Sequence, residues 1–191
     1  MKHLVPGTTD TLLECAQKEF LEKGFENASL RKISFDCGVS THTIYTRFGD
    51  KNGLFAALVK DAAAELPEKI TFKDKIFFLD SREDFSFLDF IYSNYSVYKL
   101  LLCSSKGSFY ENYLEKLSLS EEKNFKKNIK KIFNGRGDAD TFFVRSSLKS
   151  FYSDLCEILK NDLSLKNAKI FFKRSSCFKK AGWQALLESD F

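Results

Sequence analysis

Of its 191 residues the chain has only two prolines and two histidines, with one methionine and one tryptophan. Pro6 and Pro67 both lie within the first 70 residues, so nothing after them interrupts long helices. His3 and His42 stand apart. No His, Cys and carboxylate group has metal-ligand spacing, no glycine-rich phosphate loop is present, and no nucleophile, base and acid constellation is visible. These absences argue against an enzyme and predict neither metal nor cofactor. The five cysteines, Cys15, Cys37, Cys103, Cys156 and Cys177, are odd in number and scattered, with no C-x-x-C pair. That pattern suits reduced thiols in a cytoplasm. No stretch approaches the ~20 apolar residues of a membrane span, and the opening MKHLVPGTTD has no apolar signal region. The expectation is a soluble cytoplasmic protein with no membrane partner.

Charge of one sign is also scarce. The formal balance is +4, and residues 1–60 hold eight Lys/Arg against seven Asp/Glu. Bulk charge therefore does not announce a nucleic-acid binder, but distribution does more. Between Asn27 and Lys51 stand Arg31, Lys32, Arg47 and Lys51 against Asp36 and Asp50, a local patch of the kind that phosphate binding needs. At 43% hydrophobic and 29% charged residues the chain is globular, with enough length for one or two domains and a substantial core.

The stretch SLRKISFDCGVSTHTIYTRFGDK, Ser29 to Lys51, organises the rest. Ser29 caps a first short helix whose Leu30 and Ile33 sit three apart, and Gly38 supplies the freedom a sharp turn requires. Ser40 starts the next helix. Steps of roughly 100° per residue place Ile44 and Phe48 on one side. His42, Thr43 and Thr46 fall on the other, with Tyr45 and Arg47 at the rim. A short helix anchored from behind and presenting hydroxyls, an imidazole and a guanidinium has the form of a recognition helix in a helix-turn-helix.

The residues Phe20 to Gly24, Ser29, Ile33, Gly38-Val39-Ser40, Thr43-Ile44-Tyr45, Phe48 and Lys51-x-x-Leu54 resemble the N-terminal domain of the TetR/AcrR family of bacterial transcription regulators. The resemblance covers about residues 9 to 60, and beyond it only length and helical character agree. Two departures stand out. His42 replaces the small residue, often Gly, that commonly precedes the recognition-helix Thr, which should alter the DNA that is read. Ser34 replaces the usual Ala, tolerable if its hydroxyl bonds back to a helix carbonyl.

The rest of the chain reads as helices. Met1 to Thr8 is a loose arm. A first helix over about Thr9 to Lys23 carries Leu12, Ala16 and Phe20 in one stripe, with Gly24 as its C′ residue and Phe25 turned onto the core. Asp50 caps a fourth helix, whose buried side is Leu54, Phe55, Leu58 and Val59 and which Pro67 ends. From Thr71 the composition shifts towards Phe, Tyr, Lys and Ser. A short helix around Phe72 to Leu79 and a charged S-R-E-D turn precede a long helix from about Asp84 to Cys103. Ser108 to about Phe133 forms another helix, its EEKNFKKNIKK run a solvated face with Phe125, Ile129, Ile132 and Phe133 between the lysines. Asn134 to Gly137 turns the chain into two helices, Asp138 to Asn161 and Leu165 to Leu187, that form an antiparallel hairpin. Leu148, Phe151, Leu155 and Ile158/Leu159 stripe the first of these. Ile170, Phe171, Phe178, Ala181, Gly182, Ala185 and Leu186 stripe the second. Helices apolar on two sides need two partners, and the simplest second partner is the same hairpin of another subunit.

The fold expected is all-α: an N-terminal three-helix DNA-binding domain with a helix-turn-helix over residues 1–50, and a helical ligand-binding and dimerisation domain over residues 51–191, with the helix from about residue 50 as connector. The resemblance implies a homodimeric regulator, of repressor type by family analogy, released from a palindromic double-stranded DNA operator by a small-molecule effector. Candidate DNA contacts are Ser29, Arg31, Ser40, Thr41, His42, Thr43, Tyr45, Thr46, Arg47 and Lys51. Tyr45, Lys51 with the start of the fourth helix, Arg31 and the Ser29 cap grip phosphates, while His42, Thr43 and Thr46 meet base edges. Effector candidates are Tyr92, Asn94, Tyr95, Tyr98 and Phe151, aromatic faces with polar ends. Candidates for the subunit interface are Phe143, Cys156, Phe171, Phe178, Gly182 and Ala185. Two other readings compete: a thiol-based redox-responsive regulator acting through Cys103 and Cys177, and a helical protein-interaction module without specific DNA binding.

Overall fold

A computed structural model describes the backbone of residues 9–70, 85–132 and 138–188, with side chains described outside 124–140 and 187. The described residues form nine α-helices and no strand. Expectations for the N-terminal arm, the 72–79 helix, the S-R-E-D turn, the Phe125 to Phe133 stripe and the Asn134 to Gly137 turn lie outside the described residues. The chain packs as two units. One holds residues 1–66 and 94–113, the other residues 67–93 and 114–191.

The first unit is built on α1 (Thr9–Asn27), α2 (Leu30–Cys37), α3 (Thr41–Phe48), most of α4 (Lys51–Lys69) and α6 (Tyr95–Cys103). Local signals place its breaks. Gly24 at φ 72 interrupts α1 and turns Phe25 inward, where its N–H donates to Ser104 O at 2.8 Å. Phe25 then stacks on Phe20, and Phe55 meets both rings edge-on at 5.1 and 5.2 Å. At the end of α2, Gly38 adopts φ 71 and ψ 28. Its N–H reaches Phe35 O, and that of Val39 reaches Ser34 O at 3.0 Å. This paired closure needs a left-handed residue, which glycine supplies without a Cβ penalty. Leu12, Ala16, Ile33, Ile44, Leu54 and Val59 complete a sealed core.

Two boundaries differ from the sequence-based expectation. Helix α4 passes through Pro67 to Lys69 instead of ending there. Proline has no N–H to give the carbonyl four residues back, and in this fold the Tyr113 hydroxyl donates to that same Ala63 O at 2.8 Å. Burial raises the Tyr113 phenol above its ordinary pKa. Helix α7 (Tyr113–Ile132) begins at Tyr113, not Ser108. The Ser108 hydroxyl donates to Ser105 O at 2.6 Å and accepts from the Tyr110 N–H at 3.0 Å, while the Phe109 N–H goes to Asn52 Oδ1. Those bonds hold residues 105–110 in turns, the usual competition of serine hydroxyls with helix.

The second unit contains α5 (Ser86–Ser93), the body of α7, α8 (Asp138–Lys160) and α9 (Leu165–Leu187). The single helix expected from Asp84 to Cys103 is two, α5 and α6, because Asn94 leaves helical geometry at φ −132 and ψ 45. Helices α8 and α9 run antiparallel. Phe143 meets Trp183 near one end, Phe151 meets Phe172 near the other, and Asp154 takes bonds from Ser175 and Lys179 between them. Their connection closes on Asp162 at φ 50, with the Leu163 N–H on Ile158 O at 3.0 Å. On α8 the expected stripe of Leu148, Phe151, Leu155, Ile158 and Leu159 is buried. On α9 the inward face is Ala168, Phe172 and Trp183 instead, while Ile170 and Phe178 are exposed. Phe172 settles this, because it joins Phe85, Phe87 and Phe151 in one aromatic cluster. On α7 Glu122, 2% exposed, is held by the Arg145 guanidinium through two hydrogen bonds.

Candidate nucleic-acid interface

Helix α2 is fixed at its start by two reciprocal ties. The Ser29 hydroxyl accepts from the Lys32 N–H at 3.4 Å, and the Ser29 N–H donates to Glu19 Oε1 at 3.1 Å. Glu19 is buried on α1, so the cap joins two helices as well as ending one. Ser34, the unusual residue in this helix, donates its hydroxyl to Arg31 O at 2.9 Å, which satisfies it against the core. After the Gly38 turn, the Ser40 hydroxyl caps α3 by accepting the Thr43 N–H at 3.2 Å. Ile44, fully buried, pins the helix from behind.

This leaves one polar face. His42, Thr46 and Arg47 are exposed, Thr41 and Thr43 half-exposed, and Tyr45 is 52% exposed. Thr43 is oriented by its hydroxyl contact with Ser40 at 3.1 Å. Thr46 donates to His42 O at 2.9 Å and lies 3.5 Å from the His42 ring nitrogen, so the two side chains form one small patch. Arg31 and Ser29 are exposed at the start of α2. Lys32, from the same basic group, pairs with Asp36 one turn on.

Lys51 sits differently from the expectation of a free phosphate clamp. Its ammonium donates to Glu26 O at 3.1 Å and lies 4.8 Å over the Phe25 ring. Burial lowers its pKa, against the pull of Glu19 and Glu26. The start of α4 also carries Asp50, whose carboxylate accepts the Gly53 N–H at 2.7 Å. One feature was not anticipated from the sequence: Phe35 is 82% exposed on the outer face of α2, with the Lys32 ammonium 6.0 Å from its ring. Its spacing of two from both Ile33 and Cys37 was the available signal, since that interval turns a residue to the opposite helix face.

The remaining candidates fall into separate places. Tyr98 is 1% exposed in the first unit, Tyr95 lies 5.9 Å from the Lys99 ammonium, and Asn94 stands just before α6 without a side-chain cap bond. In the second unit Tyr92 donates its hydroxyl to Leu163 O at 2.7 Å, and Phe151 is buried against Phe87, Tyr152 and Phe172. The interface candidates are more coherent. Phe143, Phe178, Gly182 and Ala185 line one groove of about 650 Å³ with Trp183 and Leu186. Phe178 is 81% exposed there. Cys156 and Phe171 are half-buried on the same hairpin. Among the described residues no group of three metal ligands is assembled and no helix is long and apolar enough to cross a membrane.

Comparison with known proteins falls on the same segment. The family model of the bacterial regulatory proteins, tetR family, matches residues 12–58. The transcriptional repressor AcnR of Corynebacterium glutamicum is 38% identical over 60 residues, 31% of this chain and 32% of that protein. AcnR of Corynebacterium diphtheriae is 37% identical over 59 residues. The match thus spans about a third of the length of these curated relatives. Among solved structures, NalD, the secondary repressor of the MexAB-OprM multidrug efflux pump in Pseudomonas aeruginosa, superposes with a TM-score of 0.46 at 16% identity, covering 86% of this chain and 94% of that one. A tetR-family transcriptional regulator from Streptomyces coelicolor gives 0.48 at 16% identity, covering 93% and 85%. Over residues 12–58, which hold its capped helix-turn-helix, this chain is similar to the tetR family of bacterial regulatory proteins.

Proposed function

We propose that the protein is a sequence-specific DNA-binding transcription regulator of repressor type that works as a homodimer, with residues 1–50 reading DNA and residues 51–191 dimerising and receiving a signal. The observation that carries this reading is the polar face of α3, His42, Tyr45, Thr46 and Arg47, on a helix capped by Ser40 and pinned by Ile44. A helix so held enters a major groove with its hydrogen-bonding side outward. His42 gives or takes a hydrogen bond at a base edge, Thr43 and Thr46 offer methyl contact to thymine, and Tyr45, Arg47, Arg31 and Ser29 engage phosphates. Lys51 serves first as a tie between α4 and the end of α1, and reaches phosphate only by leaving Glu26 O.

Dimerisation uses the outward face of the α8 and α9 hairpin. Phe143, Phe178 and Ile170 are large apolar side chains in contact with water, and Gly182 and Ala185 leave room for a facing helix. A second copy covers them as an isologous four-helix contact. Two reading heads so joined recognise an inverted repeat, and a small-molecule effector that prefers one spacing of the heads releases them.

The test is selection of bound fragments from source-genome DNA, followed by affinity against salt for the selected sequence and a scrambled control. An inverted repeat that outcompetes the control, with affinity falling steeply as salt rises, is expected. Folded dimer that enriches no sequence, with or without cell extract as effector source, would refute the assignment.

A further inference from the structure

A serine that caps a helix is often completed by a Glu or Gln three residues on, whose side chain reaches back to the serine N–H. At the start of α2 both bonds of that pairing are made, but the second comes from elsewhere. The Ser29 hydroxyl accepts the N–H of Lys32, the third residue of the helix. Position 32 thus holds a cation where the pairing calls for a carboxylate or an amide. The Ser29 N–H goes instead to Glu19 Oε1 at 3.1 Å, ten positions back on α1. Glu19 is 7% exposed, whereas Ser29 and Arg31 are exposed and the Lys32 side chain is 56% exposed. The capping carboxylate is inside the fold, and two cations stand outside it at the helix end proposed to grip phosphate.

We infer that Glu19 is a positioning residue for DNA binding and Lys32 a further phosphate contact: the buried carboxylate completes the α2 cap from within, which frees position 32 for a cation on the side that meets DNA. The inference rests on the proposed reading of Ser29 and Arg31 as phosphate contacts. Both need the first turn of α2 to hold its shape, and a Ser29 N–H left without an acceptor lets that turn fray. A glutamate at position 32 closes the same cap, but it puts a negative charge beside the phosphate, where like charges at contact repel. Lys32 reverses that sign. Asp36 first, then Glu19 and Glu22, raise its pKa, so it stays a cation. The Asp36 carboxylate takes one of the three ammonium donors. An exposed pair of this kind is weak enough to be shared with a phosphate oxygen.

Variants separate the cap from the charge: Glu19→Gln, Glu19→Leu, Lys32→Glu, and Glu19→Leu combined with Lys32→Glu. Hydrogen exchange of the Ser29 amide, followed by NMR without DNA, reads the cap. Affinity against salt for the selected duplex and for a scrambled one reads the charge. Glu19→Gln keeps a carbonyl acceptor and should match the parent in the cap. Glu19→Leu should speed exchange at Ser29 and weaken DNA binding about tenfold. The double variant restores the pairing within α2, so Ser29 is protected again while affinity stays low. Lys32→Glu alone leaves Ser29 protected, weakens binding to both duplexes, and lowers the slope of log affinity on log salt by about 1 for each reading head. Unchanged Ser29 exchange in Glu19→Leu overturns the positioning role. A double variant that recovers affinity together with the cap, or a Lys32→Glu protein with an unaltered salt slope, overturns the phosphate contact. Should Glu19→Leu fail to fold, recovery of folding in the double variant supports the cap and its absence overturns it. A parent protein that binds neither duplex refutes the DNA reading and the phosphate contact with it, and exchange at Ser29 still decides the cap.

Discussion

The reading head and the α8 and α9 hairpin spend their aromatics in opposite ways. In the head Phe20, Phe25 and Phe55 close into one cluster, all at or below 5% exposure, and the surface of α3 is left to hydroxyls, an imidazole and a guanidinium. In the hairpin the inner face is satisfied by Phe151 and Phe172, yet Phe142, Phe143, Ile170 and Phe178 remain in water. A monomer gains little from a ring such as Phe178 at 81% exposure, since its favourable transfer from water is forgone. The head is complete as a fold and presents chemistry suited to a polar partner. The hairpin leaves an apolar face in water, the face that the proposed dimer covers.

The comparison breaks most forcefully if the sealed cluster is opened. Phe55→Ala removes a ring that touches Phe20, Phe25 and Tyr110, and about 3–5 kcal/mol of stability should be lost; denaturant unfolding measures it. Gly53→Ala attacks the same region by sterics, because a Cβ there would lie 1.8 Å from the backbone Phe48 O. The end of α3 has to move, so DNA affinity should fall with folding largely kept, as circular dichroism and a binding titration would register together. Retained affinity would show that the α3 to α4 junction tolerates displacement.

In the hairpin, Phe178→Glu should leave the monomer fold intact, for the side chain touches no core. An interface ring of this kind is worth about 2 kcal/mol per copy, and an isologous contact counts it twice, so dimer affinity should weaken by roughly a thousandfold. Sedimentation velocity across a dilution series reads this directly. An unchanged dimer would move the interface off this groove. His42→Ala is a smaller change: about 1–3 kcal/mol of discrimination at one base position, with the order of preferred sequences altered, whereas Tyr45→Phe should weaken all sequences by a similar modest factor. Parallel fragment selections on the two variants distinguish reading from gripping.

How much of this was visible in the sequence depends on whether local chemistry or a distant partner decides each element. Ser29, Ser40 and Asp50 as caps, Gly38 as a helix end and Gly24 as a break within α1 follow from side-chain oxygens and left-handed backbone within three or four residues. The exposed polar face of α3 followed in turn, because Ile44 is the side chain of that helix that is buried. Other features needed the fold. Pro67 is carried inside α4 while Tyr113, 50 positions beyond Ala63, bonds the Ala63 carbonyl that proline cannot serve. The start of α7 is delayed because Phe109 finds Asn52. On α9 two apolar stripes compete, and periodicity cannot say which turns inward; the Phe87 and Phe151 rings choose Phe172. The Lys51 ammonium reads as a phosphate clamp until Phe25 and Glu26 O are seen to hold it.

The smallest predicted effect sharpens the same contrast through pH. Tyr98, 1% exposed in the first unit, has its phenol pushed up to about 12, by burial first and by Glu65 second. The folded protein thus holds this proton more tightly than the unfolded chain, whose phenol loses it near its ordinary pKa of 10.0. Between those two values the native state binds more protons, so stability falls as pH rises. Below pH 10 the contribution is fully present. Tyr98→Phe should flatten that alkaline decline and leave stability near neutrality much less affected, since the ring remains and only a hydroxyl is lost. Unfolding titrations from about pH 8 to 12, followed beside phenolate absorbance, test the sign. A Tyr98→Phe protein that declines as steeply as the parent would place the alkaline sensitivity elsewhere, with the Tyr113 phenol, raised in the same direction by burial, as the next group to replace.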